Sequence, residues 1–411
     1  MKDSYQVIVI GGGAAGIGAA RRLALARVDY LLVEARPRFG GRAHTVEGDF
    51  PLDLGCGWFH SADENPWVKI AEAQDVTIDK TPPPWEKPFD QPGFPREAQE
   101  DFGKAFGEFY ERLDAACEKP DAPASSVLEP GGRWNNLIDA ISTYINGVEL
   151  SKLSTSDYAH YHDTWVNWRA REGYGWVIAG AAQGLNAMLD CPVSEIDHSG
   201  QRIIVRTARG NISADAVIVT LPSAVLAEGR VRFTPGLPEK QELAAALPLG
   251  LADKLYFWLD GMEEFEKDSR LFGQTDAVGT AAYHMRPFSR PLIEAYFGGQ
   301  LADDLEKQGE KAFADFATRE LTKVLGSDFA KRIRPLSCSL WRTDEYARGS
   351  YSYALPGHHG DRVKLAAPVD NRIYFAGEAC SQNNFSTAHG ALITGRVAAE
   401  KALAGLGSPT A

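Results

Sequence analysis

The most constraining feature lies in the first thirty-five residues. A short β-branched run, Gln6 to Ile10, leads straight into Gly11-Gly12-Gly13-Ala14-Ala15-Gly16. Ala14 to Ala26 then has the composition of a helix, and a second apolar run, Tyr30 to Val33, ends on Glu34. The pattern predicts a β-α-β unit in which each glycine has a task. Gly11 permits the tight turn, Gly13 lets the backbone approach a pyrophosphate, and Gly16 lets the helix pack closely on the strand. The helix N-terminus stabilises the anionic phosphates, and Glu34 is placed to accept hydrogen bonds from a ribose diol. The expectation is a dinucleotide-binding fold. These residues alone do not separate FAD from NAD.

The residues that follow do separate them. Glu34-Ala35-Arg36-Pro37-Arg38-Phe39-Gly40-Gly41-Arg42 sets a second glycine pair and several arginines directly after the ribose-binding acid. A guanidinium there can hold a pyrophosphate in bidentate fashion. This string resembles the second glycine motif of the flavin-containing amine oxidase superfamily, and Asp53-Leu54-Gly55-Cys56-Gly57-Trp58-Phe59-His60 resembles the family's next block. Toward the other end, Trp341 to Tyr353 is similar to the substrate-side block of polyamine oxidases and lysine-specific histone demethylases. Arg372 to Glu378 resembles the closing flavin motif, and Thr387-Ala388-His389-Gly390-Ala391 the helix start beneath the isoalloxazine. The blocks span nearly the whole chain.

The resemblance implies noncovalently bound FAD, because Ser350 stands where covalently flavinylated monoamine oxidases carry a cysteine. It implies cofactor contacts at Gly11, Gly13, Ala15, Gly16, Glu34, Ala35, Arg36, Gly41, Arg42, Gly57, Trp58, Val193, Trp341, Gly377, Glu378, Thr387 and Ala388. Val193 would present its backbone to the adenine and Glu378 would bind the ribityl chain. The helix start at Thr387 would direct its dipole at the flavin N1/C2 region.

For catalysis the resemblance singles out Lys254, in Gly250-Leu251-Ala252-Asp253-Lys254, as the lysine that holds a water at flavin N5. Tyr351 would form one aromatic wall beside the substrate amine. Thr387 occupies the opposite wall, so a two-tyrosine cage is not expected. His60 matches a histidine near the substrate in animal polyamine oxidases. Trp165, Trp168 and Trp176 fit a buried core as well as a pocket lining. Asp157, Asp163 and Glu172 either meet the distal ammonium of a polyamine or face solvent.

Hydrophobic residues make up 44% of the 411, enough for two or three domains. Residues 1–75, 181–240 and 341–411 are expected to form a discontinuous FAD-binding domain with a Rossmann-like, glutathione-reductase-type α/β core. Residues 76–180 and 241–340 are expected to form a mixed α+β substrate domain, with the flavin at the interface. The chain crosses between them in a stretch carrying Pro82, Pro83, Pro84, Pro88, Pro92 and Pro95, which suits neither helix nor central strand. An apolar stripe through Phe102, Phe106, Phe109, Tyr110 and Leu113 predicts an amphipathic core-facing helix over 96–117. A helix over 134–146 and the aromatic-rich segment 158–176 are expected to complete a helical cap. Strands are expected over 193–196, 202–207, 216–221, 254–259 and 292–297, and a helix over 309–325.

Forty-three basic against 55 acidic residues give a formal charge of −12, which repels nucleic acid and anionic membranes. Five scattered cysteines form no CxxC pair, so reduced, buried thiols and no metal site are expected. Five residues before the first apolar run leave no room for a signal peptide, so a cytoplasmic location is expected. No apolar run reaches membrane-spanning length. The combined expectation is a two-domain flavoprotein that oxidises a small polyamine or primary or secondary amine to an imine, with O2 as final acceptor. The alternatives are a dehydrogenase or desaturase acting on a C–C bond or using another acceptor, and a catalytically silent flavoprotein within a complex. Oligomeric state is not legible.

Overall fold

The structure, a computed structural model, describes residues 2–89 and 91–407. Its larger sheet is built around Ser4–Ile10, which pairs in parallel with Tyr30–Val33 on one side and Gly210–Val219 on the other. In order across the sheet the strands are Arg232–Thr234, Val193–Asp197, Ile203–Thr207, Gly210–Val219, Ser4–Ile10, Tyr30–Val33 and Ala187–Met188. Ile373–Phe375 joins in parallel beside Gly210–Val219. Val7, Ile8, Val9 and Ile10 are all buried, so this strand reads as an unbroken apolar run, as a parallel strand covered on both faces should. The strand expected over 216–221 begins earlier, at Gly210, because its first half forms an antiparallel hairpin with Ile203–Thr207.

The first helix, Ala14–Leu25, lies against the last, Ala388–Gly405. Their closeness depends on bare backbone: a Cβ on Gly395 would sit 2.0 Å from the Ala15 carbonyl oxygen, and one on Gly18 2.7 Å from that of Leu392. Gly16 acts similarly toward the first strand, where a Cβ would fall 1.7 Å from the Gly11 carbonyl oxygen.

A second, antiparallel sheet runs in the order Ser269–Phe272, Ala282–Met285, Leu292–Gly298, Ala252–Leu259, Ile333–Cys338. Its two-residue periodicity separates two faces. Leu255, Phe257 and Leu259 join Phe313, Ala317 and Leu321 of the helix Glu310–Leu325 in one core, while Lys254 and Tyr296 turn to a cavity on the other side. The helices Arg96–Ala116 and Asn135–Ile145 close that cavity from a third direction. The predicted stripe on the first of these is core at Phe109, but Phe102, Phe106, Tyr110 and Leu113 also reach the cavity wall.

The aromatic-rich segment is not a helical cap. It holds the end of a five-residue helix, Thr155–Ala159, an extended stretch bridging Trp168 to Phe59, and the start of the helix Tyr174–Gly180. Gly173 at φ +105 ends any continuous helix there. Tyr174, Val177 and Ile178 pack with Ile17, Trp67 and Leu392, beside the dinucleotide fold. Trp165 is exposed yet lines the cavity, and Trp176 is exposed outside it. All five cysteines are free; Cys191 and Cys380 are buried, whereas Cys56, Cys117 and Cys338 are only partly so. Among the described residues no helix is long and apolar enough to cross a membrane.

Candidate active site

One cavity of about 1550 Å³ runs from the glycine turn at Gly11 to the face of the second sheet. A single ligand site usually takes roughly 300–1000 Å³, so the space suits a large cofactor together with a substrate. Every residue expected to touch the cofactor or take part in catalysis lines this cavity except Gly16, whose place is between helix and strand.

At the dinucleotide end, Gly11 adopts φ +106 and Gly13 caps the first helix. That helix has no side-chain cap and no acid in its first turn, leaving backbone N–H donors directed at the cavity with no anionic partner. A Cβ on Gly13 would come no closer than 3.8 Å to any atom, and one on Gly377 would meet nothing within 4 Å. The backbone is bare here because it faces open space. Glu34 is buried and accepts hydrogen bonds from the Gly12 N–H at 2.5 Å and the Arg36 N–H at 2.8 Å. These features fit the pyrophosphate and ribose of FAD.

The two arginines are held by protein acceptors. Arg36 pairs with Asp344 and stacks over Tyr346. Arg42 donates to the Ser350 carbonyl at 2.6 Å and to Glu378 at 2.9 Å. Glu378 also accepts from the Ser352 hydroxyl at 2.6 Å and the Ser386 N–H at 3.0 Å. Burial raises its pKa, but Arg42 and these donors outweigh burial and leave it lowered, so the carboxylate stays charged. Thr387 caps the last helix, accepting from the Gly390 N–H at 3.0 Å, and aims that helix start into the cavity.

At the other end the second sheet presents Lys254. Its ammonium lies 2.7 Å from Glu294 and 5.5 Å from the Tyr296 ring centre. A Cβ on Gly57 would stand 3.2 Å from Nζ, so the glycine lets the ammonium approach. Burial by itself lowers the Lys254 pKa, yet Glu294 reverses this and holds it above the usual lysine value. Tyr351 donates to the Tyr144 carbonyl, which fixes its ring in the wall. His60 Nδ1 lies 2.7 Å from the Asn167 side-chain oxygen, and burial lowers its pKa. The Cys56 thiol shares the cavity, and burial pushes it up to about 12, which keeps it protonated and unreactive. Ser350 exchanges hydrogen bonds with the Ala252 backbone in both directions at 2.8 Å.

Two of the three acids weighed for a distal ammonium are occupied elsewhere. Asp157 is buried in a two-armed ion pair with Arg362, and its side chain is not part of the cavity wall. Glu172 accepts from the Thr77 N–H outside the cavity. Asp163 does line the cavity and accepts from the Trp165 N–H at 2.8 Å. Glu294, His284, Tyr296 and Arg270 were not anticipated, although all four line the cavity. The available signal was a glutamate inside the otherwise apolar strand Leu292–Gly298.

Residues 9–71 match the NAD(P)-binding Rossmann-like domain family, and residues 125–403 match the flavin containing amine oxidoreductase family. Polyamine oxidase 2 of Arabidopsis thaliana is 30% identical, over 97% of this chain and 88% of its own length. Polyamine oxidase 3 of Oryza sativa is 31% identical, with 96% and 88% covered. Among solved structures, a putrescine oxidase bound to putrescine superposes with a TM-score of 0.79 over 98% of this chain and 99% of that one; at 16% identity it attests the shared fold. The chain therefore belongs to the flavin-containing amine oxidoreductase family, and it is an FAD-dependent amine oxidase.

Proposed function

We propose that the chain oxidises a small amine of the polyamine type, with FAD held noncovalently and molecular oxygen as final acceptor. The observation that carries this reading is the single cavity that joins an uncapped helix start and Glu34 at one end to Lys254, Tyr296 and Tyr351 at the other. The relatives named polyamine oxidase, matched over nearly the whole chain, support the substrate class.

Bound FAD supplies the redox chemistry: hydride leaves the carbon bearing the amine, water hydrolyses the resulting imine, and oxygen carries the electrons away as hydrogen peroxide. The protein's share is binding, orientation and charge. Gly11, Gly13 and Ala15 would hold the pyrophosphate at the helix start, and Glu34, Ala35 and Arg36 would meet the ribose. Val193 would meet the adenine and Glu378 the ribityl chain, and Gly41, Arg42, Gly57, Trp58, Trp341 and Gly377 would complete the cofactor's wall. Thr387 and Ala388 direct a positive helix end at the ring that gains charge. Tyr351 and Tyr296 present aromatic faces that orient the amine nitrogen. With Nδ1 donating to Asn167, His60 keeps Nε2 as an acceptor for the proton that a substrate ammonium must lose before hydride transfer. Lys254 supplies a fixed positive charge where oxygen is reduced.

The test is anaerobic mixing of the yellow protein with polyamines, monoamines and amino acids while flavin absorbance is followed, then admission of air. Bleaching by a polyamine with peroxide on reoxidation is expected. No bleaching by any amine would overturn the substrate assignment. Lys254→Met should keep the flavin bound but slow reoxidation by orders of magnitude; unchanged kinetics would remove Lys254 from the reaction.

A further inference from the structure

The second sheet aligns its charged groups in rows. Strand register places Tyr256, Glu294 and His284 side by side on three neighbouring strands, with Lys254 and Tyr296 paired two residues along. Glu294 is the hub. One carboxylate oxygen lies 2.7 Å from Lys254 Nζ and accepts from the Tyr256 hydroxyl at 3.0 Å, while the other lies 3.4 Å from His284 Nδ1. His284 Nε2 lies 2.9 Å from Asp268, which accepts from Arg169 at 3.0 Å. Arg169 in turn pairs with Asp79 at 3.0 Å. The chain of groups thus runs Lys254, Glu294, His284, Asp268, Arg169 and Asp79 from the cavity outward.

Such an arrangement is a costly way to brace a sheet, because buried ion pairs lose in desolvation much of what they gain in attraction, and apolar replacements are often as stable. Its orderly approach to one ammonium calls for another reason. We propose that Glu294, braced by His284 and Asp268, is the positioning residue for Lys254, holding its ammonium charged and fixed beside the reacting centre. The inference rests on the role of Lys254 proposed above.

The other groups facing Lys254 act more weakly on it. Asp53 also raises the Lys254 pKa, but by less than Glu294, and its oxygens are engaged by the Thr45 hydroxyl at 2.5 Å and the Tyr174 and Gly175 N–H groups. Tyr296, Tyr256 and Cys56 are all raised by burial and remain neutral. His60 is lowered by burial and is neutral as well. Without Glu294, the desolvation that acts on Lys254 would dominate and its pKa would fall.

The experiment compares holoenzyme reoxidation from pH 6 to 10 in wild type, Glu294→Gln, Lys254→Met and the double variant. Wild type should hold its rate across the alkaline side. Glu294→Gln should gain an alkaline limb, losing about tenfold per pH unit above the new midpoint. In the Lys254→Met background the Glu294 change should add no further loss and no limb. His284→Gln, which removes the brace and keeps the countercharge, should show a smaller shift of the same limb and serves if Glu294→Gln does not fold. A Glu294→Gln enzyme with the wild-type profile, or an equal loss with and without Lys254, would overturn the inference. An effect of Glu294→Gln together with an inert Lys254→Met would instead refute the role given to Lys254.

Discussion

Asp157→Asn tests the most deeply buried ion pair among the described residues. Arg362 and Asp157 have side-chain exposures of 0% and 1%, and two guanidinium nitrogens reach the two carboxylate oxygens at 2.8 Å each. The same guanidinium donates to the Ser352 hydroxyl at 2.8 Å and lies 3.9 Å over the Phe385 ring. The amide keeps the shape of the carboxylate but leaves a buried cation without its countercharge, which costs about 3–5 kcal/mol. At about 1.4 kcal/mol per decade, the folding equilibrium falls by roughly two to three and a half orders of magnitude. Equilibrium urea unfolding of the holoenzyme, followed by tryptophan fluorescence, reads this directly. Replacing both partners with leucine should recover much of the loss, because no charge is then left unpaired. An Asp157→Asn protein within about 1 kcal/mol of wild type, the worth of an ordinary hydrogen bond, would refute the reasoning. Because Arg362 consumes the carboxylate, any rate loss should be equal for monoamines and diamines; a loss confined to diamines would return Asp157 to the substrate.

Gly395→Ala should force the first and last helices apart, since its Cβ would lie 2.0 Å from the Ala15 carbonyl oxygen; a weaker hold on FAD and a lower melting temperature are expected, and an unchanged protein would contradict the packing. His389 is buried at the last helix start with Nε2 unpaired, and burial pushes its pKa down to about 4. Between about 6.5 and 4 the unfolded chain therefore binds a proton that the folded chain does not. Stability should be fully present above pH 6.5 and fall toward pH 4 by on the order of 3 kcal/mol from this group. His389→Asn should flatten that part of a melting-temperature profile, and a parallel curve would exclude His389 as the source. Acid precipitation should release FAD into the supernatant; colour that stays with the pellet would contradict noncovalent binding at Ser350.

The β-α-β start was legible because local chemistry alone demands it: only a glycine turn before an uncapped helix leaves N–H donors free, and Gly11 and Gly13 stand in that turn. Two of the five strands of the second sheet, near 254–259 and 292–297, were legible from their apolar residues, whereas Ser269–Phe272, Ala282–Met285 and Ile333–Cys338 were not, and Lys254 was singled out by its resemblance to a family block. The segment 158–176 was misread because aromatic content carries no period, and Gly173 interrupts it with a backbone that only the fold reveals. Asp157 was misread for a different reason: its partner lies 205 residues away.

The amino-acid sequence by itself thus determined the dinucleotide fold and the flavin-type blocks, each set by neighbours within a few dozen residues. Only the tertiary structure decided which charges meet. Arg42 finds Glu378, Arg362 finds Asp157, and Lys254 finds Glu294 through strand register and helix packing, and burial then makes each of those pairings matter energetically.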